Sequence, residues 1–180
     1  MSIKHLPTKH AAVVRRLLIL GPLHFAQWFV TTGPSVKGAI PVDPFLLDKD
    51  FLKKPSRFGF VILVKDKDGN DQTCDYSFSL NGEKVLDEKL VWIKKSSEVI
   101  LFKRTDGASS EFHKTITQDS MLHAILESTR DNQLFLTNAA SQNVSKYKTD
   151  QVLRVFDWFA KLTLISPDDV SVKRTRLLSF

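Results

Sequence analysis

The chain has 180 residues, of which 42% are hydrophobic and 26% charged, and a single domain is the default at that length. Thirteen Phe and three Trp exclude disorder along the whole chain, because they can bury a core. Cys74 is the only cysteine, which excludes an internal disulfide and a cysteine-based zinc site. The net charge is +6, and it is unevenly placed. Lys and Arg outnumber Asp and Glu nine to three in residues 1–60; the counts are nine to eleven in 61–120 and eight to six in 121–180. The first acidic residue is Asp43.

The acid-free front carries Lys4, Lys9, Arg15, Arg16 and Lys37. A secretory signal needs a clean apolar run, and residues 17–30 contain Gly21, Pro22, His24 and Gln27. A membrane-spanning helix needs about 20 apolar residues, and Arg15 and Arg16 interrupt this run. A transit peptide fits in charge, but Ser2 is the only serine before Ser35. The remaining readings are a basic surface helix leading into the fold, or a segment foreign to it. Residues 1–22 are therefore set apart as an atypical basic segment, either disordered or helical and less ordered than the rest. Residues 23–180 are read as one domain. Leu23-His24-Phe25-Ala26-Gln27-Trp28-Phe29-Val30 reads as a buried helix over 23–33, stopped by Thr31-Thr32-Gly33-Pro34.

Residues 34–57 form a connector punctuated by Pro34, Pro41, Pro44 and Pro55, with Phe45 and Leu47 expected to tuck in. Residues 58–104 alternate with period two. Phe58, Phe60, Ile62 and Val64 share one face, and Tyr76, Phe78 and Leu80 alternate with Asp75, Ser77 and Ser79. Asp68-Gly69 marks one turn. Asn81-Gly82 marks the next, because both residues tolerate positive φ, and Ser96-Ser97 marks the third. The reading is a four-stranded antiparallel meander.

Residues 118–165 switch to helical spacing. Met121, Leu122, Ile125 and Leu126 form one face behind a cap at Asp119 or Ser120. Leu134-Phe135-Leu136 leads into a polar helix through Asn143. Val152, Val155, Phe156 and Phe159 follow i, i+3, i+4, i+7, with Thr149 or Asp150 as cap. The tail, 170–180, reads as a strand or a fray. The predicted fold class is α+β: an antiparallel four-stranded meander followed by a small helical part.

No site chemistry emerges. Asp66-x-Asp68-Gly69-Asn70-Asp71 invites calcium, but an EF-hand loop wants Gly at its sixth position and Glu at its twelfth. Here Gly is fourth and Ser77 twelfth, so a solvated turn is expected. His113 and His123 are ten apart and form no metal-binding pattern. There is no G-x-S-x-G elbow. Cys74 lies inside a strand with no helix N-terminus to lower its pKa, which suits a structural thiol. Asp87 and Glu88 point to opposite faces of a strand and make no dyad, and Asp168/Asp169 are likewise sequence neighbours. Neither G-x-x-x-x-G-K-[ST] nor G-x-G-x-x-G occurs. The expectation is therefore no catalytic, cofactor-binding or metal-binding residue. Basic residues do not interleave with aromatics, so nucleic-acid binding is expected to be weak at most.

Residues 23–165 nonetheless resemble a known family in the order and spacing of short pieces. These are Leu23-x-Phe25-Ala26, Ile40-Pro41-Val42-x-Pro44-Phe45-x-Leu47, Pro55-Ser56-x-Phe58, Tyr76-Ser77-Phe78, Glu88-Lys89-Leu90 and Leu101-Phe102-Lys103-Arg104. Arg130-x-Asn132-x-Leu134-Phe135-Leu136 and Asn143 follow, ahead of Trp158-Phe159. The series is similar to the AAA family ATPases with an ABC/SMC-like head, ATP-binding proteins related to the OLD nucleases of bacterial abortive infection and phage defence. The resemblance implies a partial ABC-ATPase-like lobe in which Leu23-x-Phe25-Ala26 belongs to the helix after the phosphate loop. The family's Gly-Lys-Ser/Thr would then fall at about residues 16–18, where this chain has Arg16-Leu17-Leu18. The Walker B acid would lie beyond residue 180. The chain thus reads as a truncated ATPase relative, cytoplasmic, without its own ATP or Mg site and unable to hydrolyse ATP alone. No family role attaches to Glu88, Arg104 or Asn143.

The competing expectation is a small interaction module. It would meet a protein partner, or a second copy of itself, through an exposed sheet edge and a helical face, with no membrane partner. A lobe ending at residue 180 should leave apolar surface such as Phe156, Trp158 and Phe159 uncovered.

Overall fold

The computed structural model describes residues 21–36, 38–42, 54–66, 68–108, 110–114, 120–142 and 150–164. The front segment 1–20, Phe45 and Leu47, the caps Asp119 and Thr149, Asn143 and the tail 170–180 lie outside them. The described architecture is α+β: an antiparallel sheet with one face covered by helices.

The first helix, α1, runs over 21–31. It includes Gly21 and Pro22, which lie outside the domain expected from the sequence. Proline suits the first turn of a helix because the N–H it lacks has no partner there. Gly33 closes α1 as expected: it sits at φ +67 and its N–H donates to Trp28 O at 3.0 Å.

The strands are β1 (Ser56–Lys65), β2 (Asp71–Leu80), β3 (Val85–Lys94), β4 (Ser97–Thr105) and β5 (Glu111–Phe112), ordered β1-β2-β3-β4-β5. The alternation holds: Cys74, Tyr76, Phe78 and Leu80 are buried along β2, and Ile62 and Val64 along β1. Three details differ from the sequence reading. A fifth strand, two residues long, pairs Phe102 with Phe112 and Lys103 with Glu111, and two residues are too few to show a period. The β3–β4 turn is Lys95-Ser96, one residue earlier than expected. The β2–β3 connection does not use positive φ at Gly82. Asn81 makes it instead, its Oδ1 accepting from the N–H groups of Glu83 and Lys84 at 2.9 Å each.

A bulge interrupts β3–β4. Leu90 pairs with Phe102 and Val91 with Ile100, so Leu101 is the extra residue. Both Leu101 and Phe102 are buried, which is why that stretch does not alternate.

Among the described residues three further helices are complete: α2 (Ser120–Glu127), α3 (Phe135–Ser141) and α4 (Asp150–Lys161). The core is a run of rings between the layers. Phe25 stacks on Phe58 at 5.3 Å and Phe58 on Phe78 at 5.0 Å. Phe159 meets Phe60 edge-on at 5.1 Å, and Phe135 meets Phe102 at 4.9 Å. Such pairs add about 0.5–1.5 kcal/mol each beyond area burial. Phe159 is therefore not part of an uncovered apolar surface. It is fully buried, while Phe156 and Trp158 are partly buried against the same core.

Candidate functional site

The strongest polar constellation surrounds Glu88, for which the sequence offered no role. Glu88 shares the inner face of β3 with Leu90 and has no exposed surface. Its neighbour Asp87 takes the other face and accepts from Ser79 Oγ at 2.9 Å. Glu88 Oε1 accepts from Tyr76 Oη at 2.9 Å and from the Leu136 N–H at 3.1 Å. Oε2 accepts from the Phe135 N–H at 2.7 Å. Arg104 Nη1 lies 3.8 Å from Oε2, and its side chain is 15% exposed.

The two amides belong to the first turn of α3, whose N-cap residue, Leu134, has no side-chain oxygen to offer them. Glu88 supplies that oxygen from across the fold. Arg104 completes the ring. Its Nη1 donates to Gln133 O at 2.8 Å and its Nη2 to Arg130 O at 3.2 Å, which holds the loop leading into α3.

Burial pushes the Glu88 carboxyl up from its ordinary value, against the pull of Arg104, the two amides and Tyr76. Both carboxyl oxygens accept hydrogen bonds in this geometry. Burial and the adjacent carboxylate hold the Tyr76 hydroxyl well above its usual range. With no exposed surface and both oxygens engaged, Glu88 can hold a helix but offers nothing to a substrate.

The helix ends are closed the same way by distant side chains. Gln27 Nε2, on α1, donates to Phe159 O at 3.0 Å and Leu162 O at 2.6 Å, at the end of α4. Thr137 Oγ1, on α3, donates to Val30 O at 2.7 Å, at the end of α1. Asn138 Nδ2 donates to Ile125 O at 3.0 Å, at the end of α2. Asn132 Nδ2 reaches Gly38 O at 2.8 Å and Ser35 O at 3.2 Å in the connector. The sequence predicts a polar helix for α3, but Thr137 and Asn138 are buried because they work as caps. One signal pointed to the network. A glutamate in register with Leu90 on the core face of a strand demands buried partners.

Three other candidates have partners in the fold. Burial pushes the Cys74 thiol up to about 11, which removes thiolate at neutral pH. Asp66 Oδ1 accepts from the N–H groups of Asp68 and Asn70 at 2.9 and 2.8 Å, which makes the acidic stretch a turn. Lys65 pairs with Asp71 at 2.6 Å beside it. His123 packs its ring on Phe112 at 4.8 Å. Among the described residues, no three His, Cys, Asp or Glu gather to hold a metal, and no helix is long and apolar enough to cross a membrane. On the outer sheet face, Val61, Leu63 and Ile100 are 70, 56 and 40% exposed. No family model, curated protein or solved structure matches this chain.

Proposed function

We propose that the chain is a relative of the ABC/SMC-like ATPase heads of bacterial defence systems, corresponding to their inner antiparallel arm and adjoining helices, and that it does not hydrolyse ATP by itself. One observation carries this reading. The short pieces that resemble the family are scattered in sequence yet converge in space. Ala26, Ile40, Tyr76, Phe78, Leu101, Phe102, Leu134, Phe135, Leu136 and Phe159 lie in one core. Glu88 and Arg104, which match the family pattern without a known role, form one buried pair at the N-terminus of the Leu134-Phe135-Leu136 segment.

The lack of hydrolysis follows from chemistry. Cradling a triphosphate takes a glycine-rich backbone at a helix N-terminus and a lysine on the phosphates. The sequence has no such loop, and Arg16-Leu17-Leu18 stands at its family position. The protein is then cytoplasmic and carries no ATP or Mg of its own. Reading the DNA upstream of codon 23 in all three frames tests the origin. A G-x-x-x-x-G-K-[ST] in another frame supports the reading, and three frames without one count against it.

The exposed Val61, Leu63 and Ile100 favour a second reading, a small protein-interaction module. Sedimentation of the parent and of a Val61→Lys/Leu63→Lys variant separates self-association from a strictly monomeric chain.

A further inference from the structure

We infer that α3 and the loop before it couple the sheet to α1, α2 and the connector: Glu88 seats α3, α3 holds the ends of α1 and α2, and Asn132 in the loop holds the connector at Ser35 and Gly38, so these four parts open together. The inference stands on hydrogen bonds of this chain and does not depend on the ATPase reading.

α3 has seven residues, about two turns, which is too short to persist by its own helical preference. Its place is therefore set by tertiary anchors. On one side the anchor is the Glu88 carboxylate, which takes the Phe135 and Leu136 amides. On the other side three side chains from 132–138 reach outward. Asn132 holds the Ser35 and Gly38 carbonyls, Thr137 the Val30 carbonyl and Asn138 the Ile125 carbonyl. Asn138 also donates to Thr129 Oγ1 at 3.0 Å, and Thr129 Oγ1 donates to the same Ile125 carbonyl at 2.7 Å. Hydrogen bonds weaken steeply when bent or stretched, so a displacement of α3 large enough to leave Glu88 breaks the outward set with it. Phe135 adds a rigid link, since its ring packs edge-on against both Phe102 and Phe112.

Amide hydrogen exchange resolves this, because each coupled part carries a reporter amide with its own backbone bond. Thr32 and Gly33 bond to Trp28 O at the end of α1, and Ser128 and Thr129 bond at the end of α2. Gly38 reports on the connector turn and Asn138 on α3 itself. In Glu88→Gln, exchange at Asn138 should rise about tenfold, and the reporters at α1, α2 and Gly38 should rise by a similar factor. Amides in the middle of β2 and β3 should stay protected. Thr137→Val, which leaves Glu88 intact, should speed Thr32 and Gly33 and also Asn138. Tyr76→Phe, which removes one bond to Glu88, gives the same pattern at smaller amplitude and serves if Glu88→Gln does not fold. Faster exchange confined to α3, with the other reporters unchanged, overturns the inference. Equal acceleration in β2 and β3 also overturns it, because that is plain global destabilisation.

Discussion

Replacing Glu88 by alanine removes a fully buried carboxyl with four polar partners. The change abandons the Tyr76 hydroxyl and the amides of Phe135 and Leu136 inside the fold, and it leaves the Arg104 guanidinium without its counter-charge. Breaking a buried ion pair from one side costs about 3–5 kcal/mol, and orphaned donors account for part of that same cost. For a chain of this size, 1 kcal/mol moves the melting temperature by about 2–4 °C, so Tm should fall by about 6–20 °C. Glutamine is milder. Its oxygen keeps the Tyr76 and Leu136 donors, while its amide group faces the Phe135 N–H, at a cost of about 1–3 kcal/mol. Asp87→Asn, one residue away on the wet face, should stay within about 1 kcal/mol of the parent. Urea and thermal unfolding followed by circular dichroism give all three values. If Glu88→Ala unfolds within about 1 kcal/mol of the parent, the carboxylate is not the anchor described.

Other outcomes follow from the same packing. Phe159→Ala removes a fully buried ring from contact with Phe60 and Tyr76 and should cost about 3–5 kcal/mol in chemical denaturation. Cys74, its thiol pushed up to about 11 by burial, should resist a thiol reagent at neutral pH in the folded protein and react fully in guanidinium; rapid labelling of the native chain would contradict this. The Asn70 backbone bond, ahead of other groups around Asp66, holds that carboxyl below its usual value. A depressed carboxylate contributes stability above its unfolded value and loses it as pH falls through the folded one. The β1–β2 turn should therefore loosen as the folded Asp66 carboxyl protonates, seen as faster exchange at Asp68 and Asn70 below the ordinary aspartate range.

The sheet was legible because period-two alternation needs only one wet face and one dry one, and β1 and β2 have both. Where a second rule intervened, legibility failed. The bulge at Leu101 puts two neighbours on the core side, and Asn81 turns the chain with its side chain rather than through a left-handed Gly82. Helical spacing located α2 and α4, but it read the exposure of α3 wrongly. Thr137 and Asn138 look solvated in sequence and are buried in the fold, since they close helices that lie far from them in the chain. The Glu88 network joins residues 12 to 48 positions apart, and no local pattern encodes such partners. Glutamate on an apolar strand face signals that partners exist without saying which they are.

An ATPase-head arm with no phosphate site, as proposed, should neither bind nor hydrolyse ATP. Titrating the full chain with ATP and Mg²⁺ in a calorimeter, with phosphate release followed in parallel, tests this. No saturable heat in the micromolar range and no phosphate above the buffer rate are expected. A micromolar isotherm that disappears when Mg²⁺ is chelated would contradict it, because that behaviour requires the phosphate cradle the sequence does not contain.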